Sequence, residues 1–167
     1  MEKTLIVFKP DAVQRGIVGE IITRFERVGL KIVGTKMLQP DYDHYHKHYE
    51  GIGTLKTRKG DQIFEYQLKT MLEGPVIAMV LEGVDAVETV RKMVGATEPK
   101  SAVPGTIRGD YAHVSYSAAD ASGRSVNNVI HASADPAEAE QEIAHWFSDV
   151  EMYDYQAVHE KFTQPKS

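Results

Sequence analysis

Apolar positions along this chain fall into short continuous runs and helical stripes that alternate from one end to the other. Thr4–Lys9 is almost uninterrupted apolar sequence and reads as a buried strand, which Pro10-Asp11 ends while opening a helical turn. Ile17/Val18, Ile21/Ile22, Phe25 and Val28 keep helical spacing, with Gly29 where a C-terminal cap belongs. Lys31–Leu38 alternates apolar and polar positions and predicts a second strand. Asp41–Tyr49 has helical character, whereas Glu50–Asp61, with Gly51, Gly53 and Gly60, reads as a loop. Ile63–Leu72 predicts a helix broken by Gly74-Pro75. Val76–Leu81 then predicts a third buried strand and Val84–Val94 a helix ended by Gly95. From Pro99 to Asn127 periodicity is lost apart from a short strand expected at Tyr111–Tyr116; so long an unpatterned stretch in a compact domain tends to be functional. Asn128–Ser133 reads as the fourth core strand. Asp135-Pro136-Ala137-Glu138 is a helix start, with an acid at the N-cap, proline first and glutamate third. Ala139, Ile143 and Trp146/Phe147 give that helix its apolar face, and the polar tail to Ser167 has room for one short helix.

Strands alternating with helices predict an α/β protein, an α+β sandwich with few strands and with helices on one face of the sheet. At 167 residues the chain is long enough for one well-buried domain spanning 1–167, with a core at about 3–150 and a polar tail at 151–167. Apolar residues make up 42% and charged residues 26%, as in an ordinary soluble globule. The net charge of −5 argues against a nucleic-acid surface, so an anionic ligand would need a local basic pocket. Absence of cysteine removes disulfides, thiolate zinc sites and cysteine nucleophiles, and fits a reducing compartment. No apolar run approaches the roughly 20 residues of a membrane span. Met1-Glu2-Lys3 leads directly into the first strand with no signal-peptide core, so a cytoplasmic protein without membrane partners is expected.

The most informative chemistry lies in Asn128-Val129-Ile130-His131-Ala132-Ser133, where a histidine stands between an amide and a hydroxyl just ahead of a helix. Imidazole is a competent nucleophile at neutral pH because its neutral form is abundant there. Glu142 shares a helical face with Ala139 and Trp146, so it should be partly buried and need a partner. That partner is either His131, whose tautomer it would fix, or a lysine at the rim. Lys9 closes the first strand, Arg91 lies on a helix, and Arg108 lies in Pro104-Gly105-Thr106-Ile107-Arg108-Gly109-Asp110. Guanidinium forks match phosphate oxygens. Each of these cations, taken singly, also suits a solvated surface. Neither a Gly-x-x-x-x-Gly-Lys-Ser/Thr loop nor a Gly-x-Gly-x-x-Gly turn is present, so a phosphate site would rest on side chains. His44, His46 and His48 read as a solvated helix face rather than a metal site, and the Arg-Gly-Asp tripeptide is too short to indicate adhesion.

Taken together, these motifs resemble the nucleoside diphosphate kinase family. The likeness is carried by Phe8-Lys9-Pro10-Asp11-Ala12-Val13-Gln14-Arg15-Gly16, Gly74-Pro75-Val76 with Glu82-Gly83, and Gly95-Ala96-Thr97-Glu98-Pro99. It continues through the Pro104–Asp110 loop, Asn128-x-x-His131-x-Ser133, and Glu142-Ile143 with Trp146-Phe147, all in the family's order. The resemblance implies a ferredoxin-like four-stranded antiparallel sheet with helices packed on it. It also implies ping-pong transfer of the terminal phosphate of a nucleoside triphosphate, ATP as donor, to a nucleoside diphosphate, with broad base specificity. Carried over, His131 is the nucleophile, Glu142 its orienting carboxylate and Ser133 a support for that strand, with Lys9 completing the catalytic set. Lys9, Tyr49, Arg91, Thr97, Arg108 and Asn128 would hold phosphates and ribose, and Ile63 with Phe64 would stand where the base is covered. Mg²⁺ held mainly by phosphates and water is implied, with no protein metal ligands, as is a homo-oligomer, a hexamer before a tetramer or dimer. Ala132, Ala134 and Asn127 depart from the family's usual residues, and extra stretches lie near Tyr116–Val126 and within Gly51–Gly60. A different reading is a catalytically inactive relative that binds nucleotides or proteins.

Overall fold

The computed structural model describes residues 1–163. Its strands are β1 (Glu2–Phe8), β2 (Lys31–Leu38), β3 (Val76–Gly83) and β4 (Ile130–Ala132), joined in the order β2-β3-β1-β4 with every neighbouring pair antiparallel. The helices are α1 (Pro10–Gln14), α2 (Val18–Arg27), α3 (Tyr42–His46), α4 (Leu55–Lys59), α5 (Asp61–Met71), α6 (Ala86–Val94), α7 (Ile107–Tyr111), α8 (Tyr116–Ala121), α9 (Pro136–Trp146) and α10 (Glu160–Thr163). The sheet with helices packed on it is the ferredoxin-like architecture expected.

Helices cover both faces of the sheet, which corrects the expectation of one. The reason lies in β1 and β3, where successive residues are apolar and so neither face can be left in water. Ile6, Phe8, Met79 and Leu81 pack with Ile21, Phe25 and Val90 from α2 and α6. Leu5, Val7, Ala78 and Val80 face Tyr45, Phe64, Leu68, Ile143 and Trp146 from α3, α5 and α9. Alternation then decides where the chemistry points. Val7 pairs directly with His131, and Lys9 lies two residues beyond Val7, so Lys9 and His131 leave the sheet on the α9 side.

Three further expectations are corrected. Glu50–Asp61 is not a plain loop: α3 continues as a π-helix over Lys47–Ile52, and α4 follows. The Glu50 carboxylate accepts the backbone N–H groups of Lys56 and Thr57, giving α4 the cap its own sequence lacks. Tyr111–Tyr116 is not a strand. Thr106 and Ser115 accept the N–H groups of Gly109 and Ala118, and these N-caps start α7 and α8 on either side of it. The fourth strand is shorter than Asn128–Ser133, because the backbone turns sharply at Val129. The helix start at Asp135 is as expected, its side chain accepting the Glu138 N–H with Pro136 in the first turn. The tail carries a 3₁₀ turn (Asp149–Glu151) and α10, and its last residues, 164–167, lie outside the described ones.

Candidate active site

The segment that delivers His131 is strained and tightly held. Val129 has φ +73°, a left-handed conformation rare for a β-branched residue. Ile130 N–H donates to the Asn128 carbonyl at 2.8 Å, closing a γ-turn around it. Several anchors impose the conformation. Val129 is fully buried, its N–H donates to Asp11 Oδ2 at 3.1 Å, and its carbonyl accepts the Lys9 N–H at 2.9 Å. Arg108 grips both sides of the turn, donating from Nε to the Asn128 carbonyl (3.2 Å) and from Nη2 to the Ile130 carbonyl (2.6 Å). Its Nη1 reaches the Gly95 carbonyl at 3.0 Å.

His131 then meets Glu142. The imidazole Nε2–H donates to Glu142 Oε1 at 2.7 Å, and the Ser133 hydroxyl donates to Oε2 at 2.6 Å. Ser133 Oγ in turn accepts the Leu5 N–H at 3.2 Å, tying the carboxylate to the central strand. Of the two partners open to Glu142, the structure places it on His131. Because a carboxylate only accepts, the ring proton is assigned to Nε2 and the Nδ1 lone pair is left available. His48 stands edge-on to His131, ring centroids 4.6 Å apart, and burial holds its pKa well below the ordinary histidine value. Trp146 Nε1–H donates to His48 Nδ1 at 3.1 Å, so that lone pair is spent. The 3.4 Å approach of Glu142 Oε1 to the same nitrogen is therefore one acceptor facing another, not an ion pair. His48, His131 and Glu142 bring donor atoms within 4.8 Å of one another, and hydrogen bonding within the group accounts for that closeness.

A cavity of about 600 Å³ opens over this network, lined by Lys9, Arg91, Arg108, Asn128 and His131. Burial, with Arg108 beside it, lowers the Lys9 ammonium to about 8 against the pull of Asp11. Burial likewise lowers Arg108 to about 10, leaving it a cation at neutral pH. Arg91 is exposed and donates over 3.4 Å to the Ser133 carbonyl, so its guanidinium is largely free for a ligand. Thr97 lines the cavity, and its carbonyl accepts Asn128 Nδ2–H at 2.8 Å. Tyr49 and Ile63 also line the cavity, the Tyr49 ring centroid lying 6.4 Å from that of His131. Phe64 does not join them. It is 1% exposed and packs in the core beneath the sheet, because its position on α5 points inward where Ile63 points into the cavity.

Sequence reasoning missed several lining residues. His48 is buried in the site rather than on a solvated face, because it lies one turn after buried Tyr45 on the face that α9 covers with Trp146. Tyr116, Asp120, Ser125 and Val126 come from the stretch without periodicity, and Arg58 and Lys59 from the segment read as a loop. Only the unusual length of those segments signalled them.

Comparison with known proteins agrees with this geometry. Residues 2–152 match the family model described as nucleoside diphosphate kinase. A nucleoside diphosphate kinase from Pyrococcus furiosus is 50% identical over 155 residues, 93% of this chain and 88% of that protein. A transition-state mimic of nucleoside-diphosphate kinase from Borrelia burgdorferi with bound vanadate and ADP superposes with a TM-score of 0.93 at 44% identity, covering 97% and 96% of the two chains. A halophilic nucleoside diphosphate kinase from Halobacterium salinarum in complex with CDP gives 0.82 at 38%, covering 96% and 97%. With the strained turn, the paired histidine and carboxylate, and the cationic cavity in one place, the chain belongs to the nucleoside diphosphate kinase family.

Proposed function

We propose that this protein moves the terminal phosphate of a nucleoside triphosphate, ATP foremost, to a nucleoside diphosphate through a phosphohistidine on His131. The observation that carries the reading is the 2.7 Å bond from His131 Nε2 to Glu142, which leaves Nδ1 as the reacting nitrogen beside three cations. The Nδ1 lone pair forms a bond to the γ-phosphorus while the bond from that phosphorus to the β-bridging oxygen breaks, and the diphosphate leaves with that electron pair. A second diphosphate then enters and takes the group back from Nδ1, which makes the kinetics ping-pong. Lys9, Arg91 and Arg108 offset the charge on the transferred oxygens, and Glu142 stabilises the ring as it becomes cationic. Ser133 acts through Glu142 and is a positioning residue. Thr97, Asn128 and Tyr49 would orient phosphates and sugar, and Ile63 would pack on the base, which favours a broad range of bases.

The resemblance also implies Mg²⁺. Among the carboxylates in the cavity wall, Glu142 is engaged by His131 and Ser133, and Glu138 accepts the Ala134 N–H, leaving Asp120. That donor set fits an ion that arrives with the nucleotide and stays mostly hydrated, with Asp120 as the wall's available oxygen ligand. When bound, it would neutralise charge on the phosphate oxygens. A homo-oligomer, hexameric before tetrameric or dimeric, and a cytoplasmic location belong to the same proposal. No helix among the described residues is long and apolar enough to cross a membrane.

Incubation with γ-labelled ATP tests the reading. An acid-labile phosphate is expected on the wild-type protein and none on His131→Ala. Label retained by the variant would overturn the assignment. A catalytically inactive relative is not favoured, because His131 and all three cations line one cavity.

A further inference from the structure

The cavity wall holds a buried carboxamide that phosphoryl transfer does not use. Gln67 lies one turn after Ile63 on α5, so both side chains leave the same helix face, and both line the cavity. Gln67 is 7% exposed, and its Oε1 accepts the Ser125 hydroxyl at 2.6 Å. Ser125 belongs to the extra stretch before Asn128. With Oε1 occupied, Gln67 Nε2 keeps two N–H donors, neither in a well-formed hydrogen bond; the buried Tyr49 hydroxyl is near enough to take one of them, which leaves the other without an acceptor. Buried donors without acceptors are unfavourable and rare, and here they border a cavity.

We propose that Gln67 is a specificity-determining residue: its Nε2–H donates to a hydrogen-bond acceptor on the nucleoside part of the bound nucleotide, and Ser125 holds the carboxamide in that orientation. The inference rests on the nucleotide reading above and deepens it. Phosphate oxygens are drawn to Lys9, Arg91 and Arg108, whereas Gln67 is a neutral amide beside the apolar Ile63, which suits an uncharged acceptor. That acceptor belongs either to the base edge or to the sugar 2′-hydroxyl. A site built around such a bond discriminates against ligands that lack the acceptor.

The test is kcat/KM for the diphosphates of adenosine, guanosine and cytidine and their 2′-deoxy forms, in wild type, Gln67→Glu and Ser125→Ala. Glutamate keeps two acceptor oxygens, so it would still serve a purely structural bridge between the Ser125 and Tyr49 hydroxyls, but it cannot donate. Gln67→Glu is expected to lower kcat/KM about 10-fold for the favoured nucleotides and to flatten the profile, with Ser125→Ala shifting it the same way but less. A loss that differs among bases and is indifferent to the sugar assigns the base edge. A loss shared by all bases and absent from the deoxy forms assigns the 2′-hydroxyl. An unchanged profile, or an equal loss for every nucleotide, overturns the proposal. Gln67→Leu gives the same readout should the glutamate variant not fold. Phosphate labelling of the wild-type protein separates the two ideas: label with an unchanged Gln67→Glu profile removes only the specificity role, and absence of label removes the nucleotide reading itself.

Discussion

Lys9 is held at the bottom of the cavity with its ammonium lowered to about 8 by burial and by Arg108. A lowered lysine pKa means that the charge is lost at a less alkaline pH than in water, so kcat/KM is expected to fall as pH rises through about 8. Asp11 raises that pKa, so Asp11→Asn should move the falling limb to lower pH, and Lys9→Arg should remove it. A limb that survives unchanged in Lys9→Arg would assign it to another group. Ser133 is a second test. Replacing it with alanine strips a donor from buried Glu142 and an acceptor from the Leu5 N–H, costing about 1–3 kcal/mol in urea unfolding. Both residues stand one position beyond a strand end, Lys9 after β1 and Ser133 after β4; the neighbouring strands made their places legible, and the resemblance to the family supplied their roles. Glu142 was legible from its helical spacing. His48 was not: helical spacing puts it on one face with His44, but nothing in the local sequence shows that α9 covers that face, where both rings pack on Trp146.

Among the elements, the loop from Val103 to Asp110 matters most, because it fixes Arg108 and through it the γ-turn. Arg24 braces it from α2, donating to Asp110 Oδ2 at 2.8 Å and to the Gly105 carbonyl. Gly109 leaves no room for a Cβ, which would overlap the Val103 carbonyl and lie 2.9 Å from Thr106 Oγ1. Gly109→Ala must therefore shift the loop, with an expected stability loss of about 1–3 kcal/mol and a lower kcat/KM. Gly105→Ala is the control: its φ of +93° makes a side chain strained, but nothing lies within 4 Å, so stability should fall without comparable loss of activity. Equal effects of the two on activity would contradict the bracing role. Helices and strands with regular apolar spacing could be read directly. α7 and α8 could not, since each is a single turn or little more, started by a capping side chain rather than by a repeating apolar face.

In the molecule as a whole, the match to the family model stops at residue 152, and the chain beyond it serves as a brace on β2. Tyr153 N–H donates to the Val33 carbonyl (2.8 Å), Tyr155 hydroxyl to the Ile32 carbonyl (2.8 Å), and His159 Nε2 to the Gly29 carbonyl (2.9 Å). Glu160 also joins Glu82 around the buried Lys31, at 3.1 and 2.7 Å. Ending the chain at Met152 should lower stability by about 2–3 kcal/mol, read as a drop in Tm, because it removes these hydrogen bonds and the tail's packing over Lys31, whose ion pair with Glu82 alone remains. His131 phosphorylation should continue at its usual rate, as none of these residues borders the cavity. The tail was read as polar with room for one short helix, which α10 supplies; its hold on β2 was not legible, because backbone carbonyls and one buried lysine leave no periodic trace.

The cavity itself is assembled from parts of two kinds. Its floor is the sheet and α9, whereas Tyr116, Asp120, Ser125, Arg58 and Lys59 come from the two segments without a regular apolar repeat. The latter form a replaceable collar around the reaction vessel, and grafting another relative's collar onto this base should retune which nucleotides enter while the histidine's chemistry goes on beneath it.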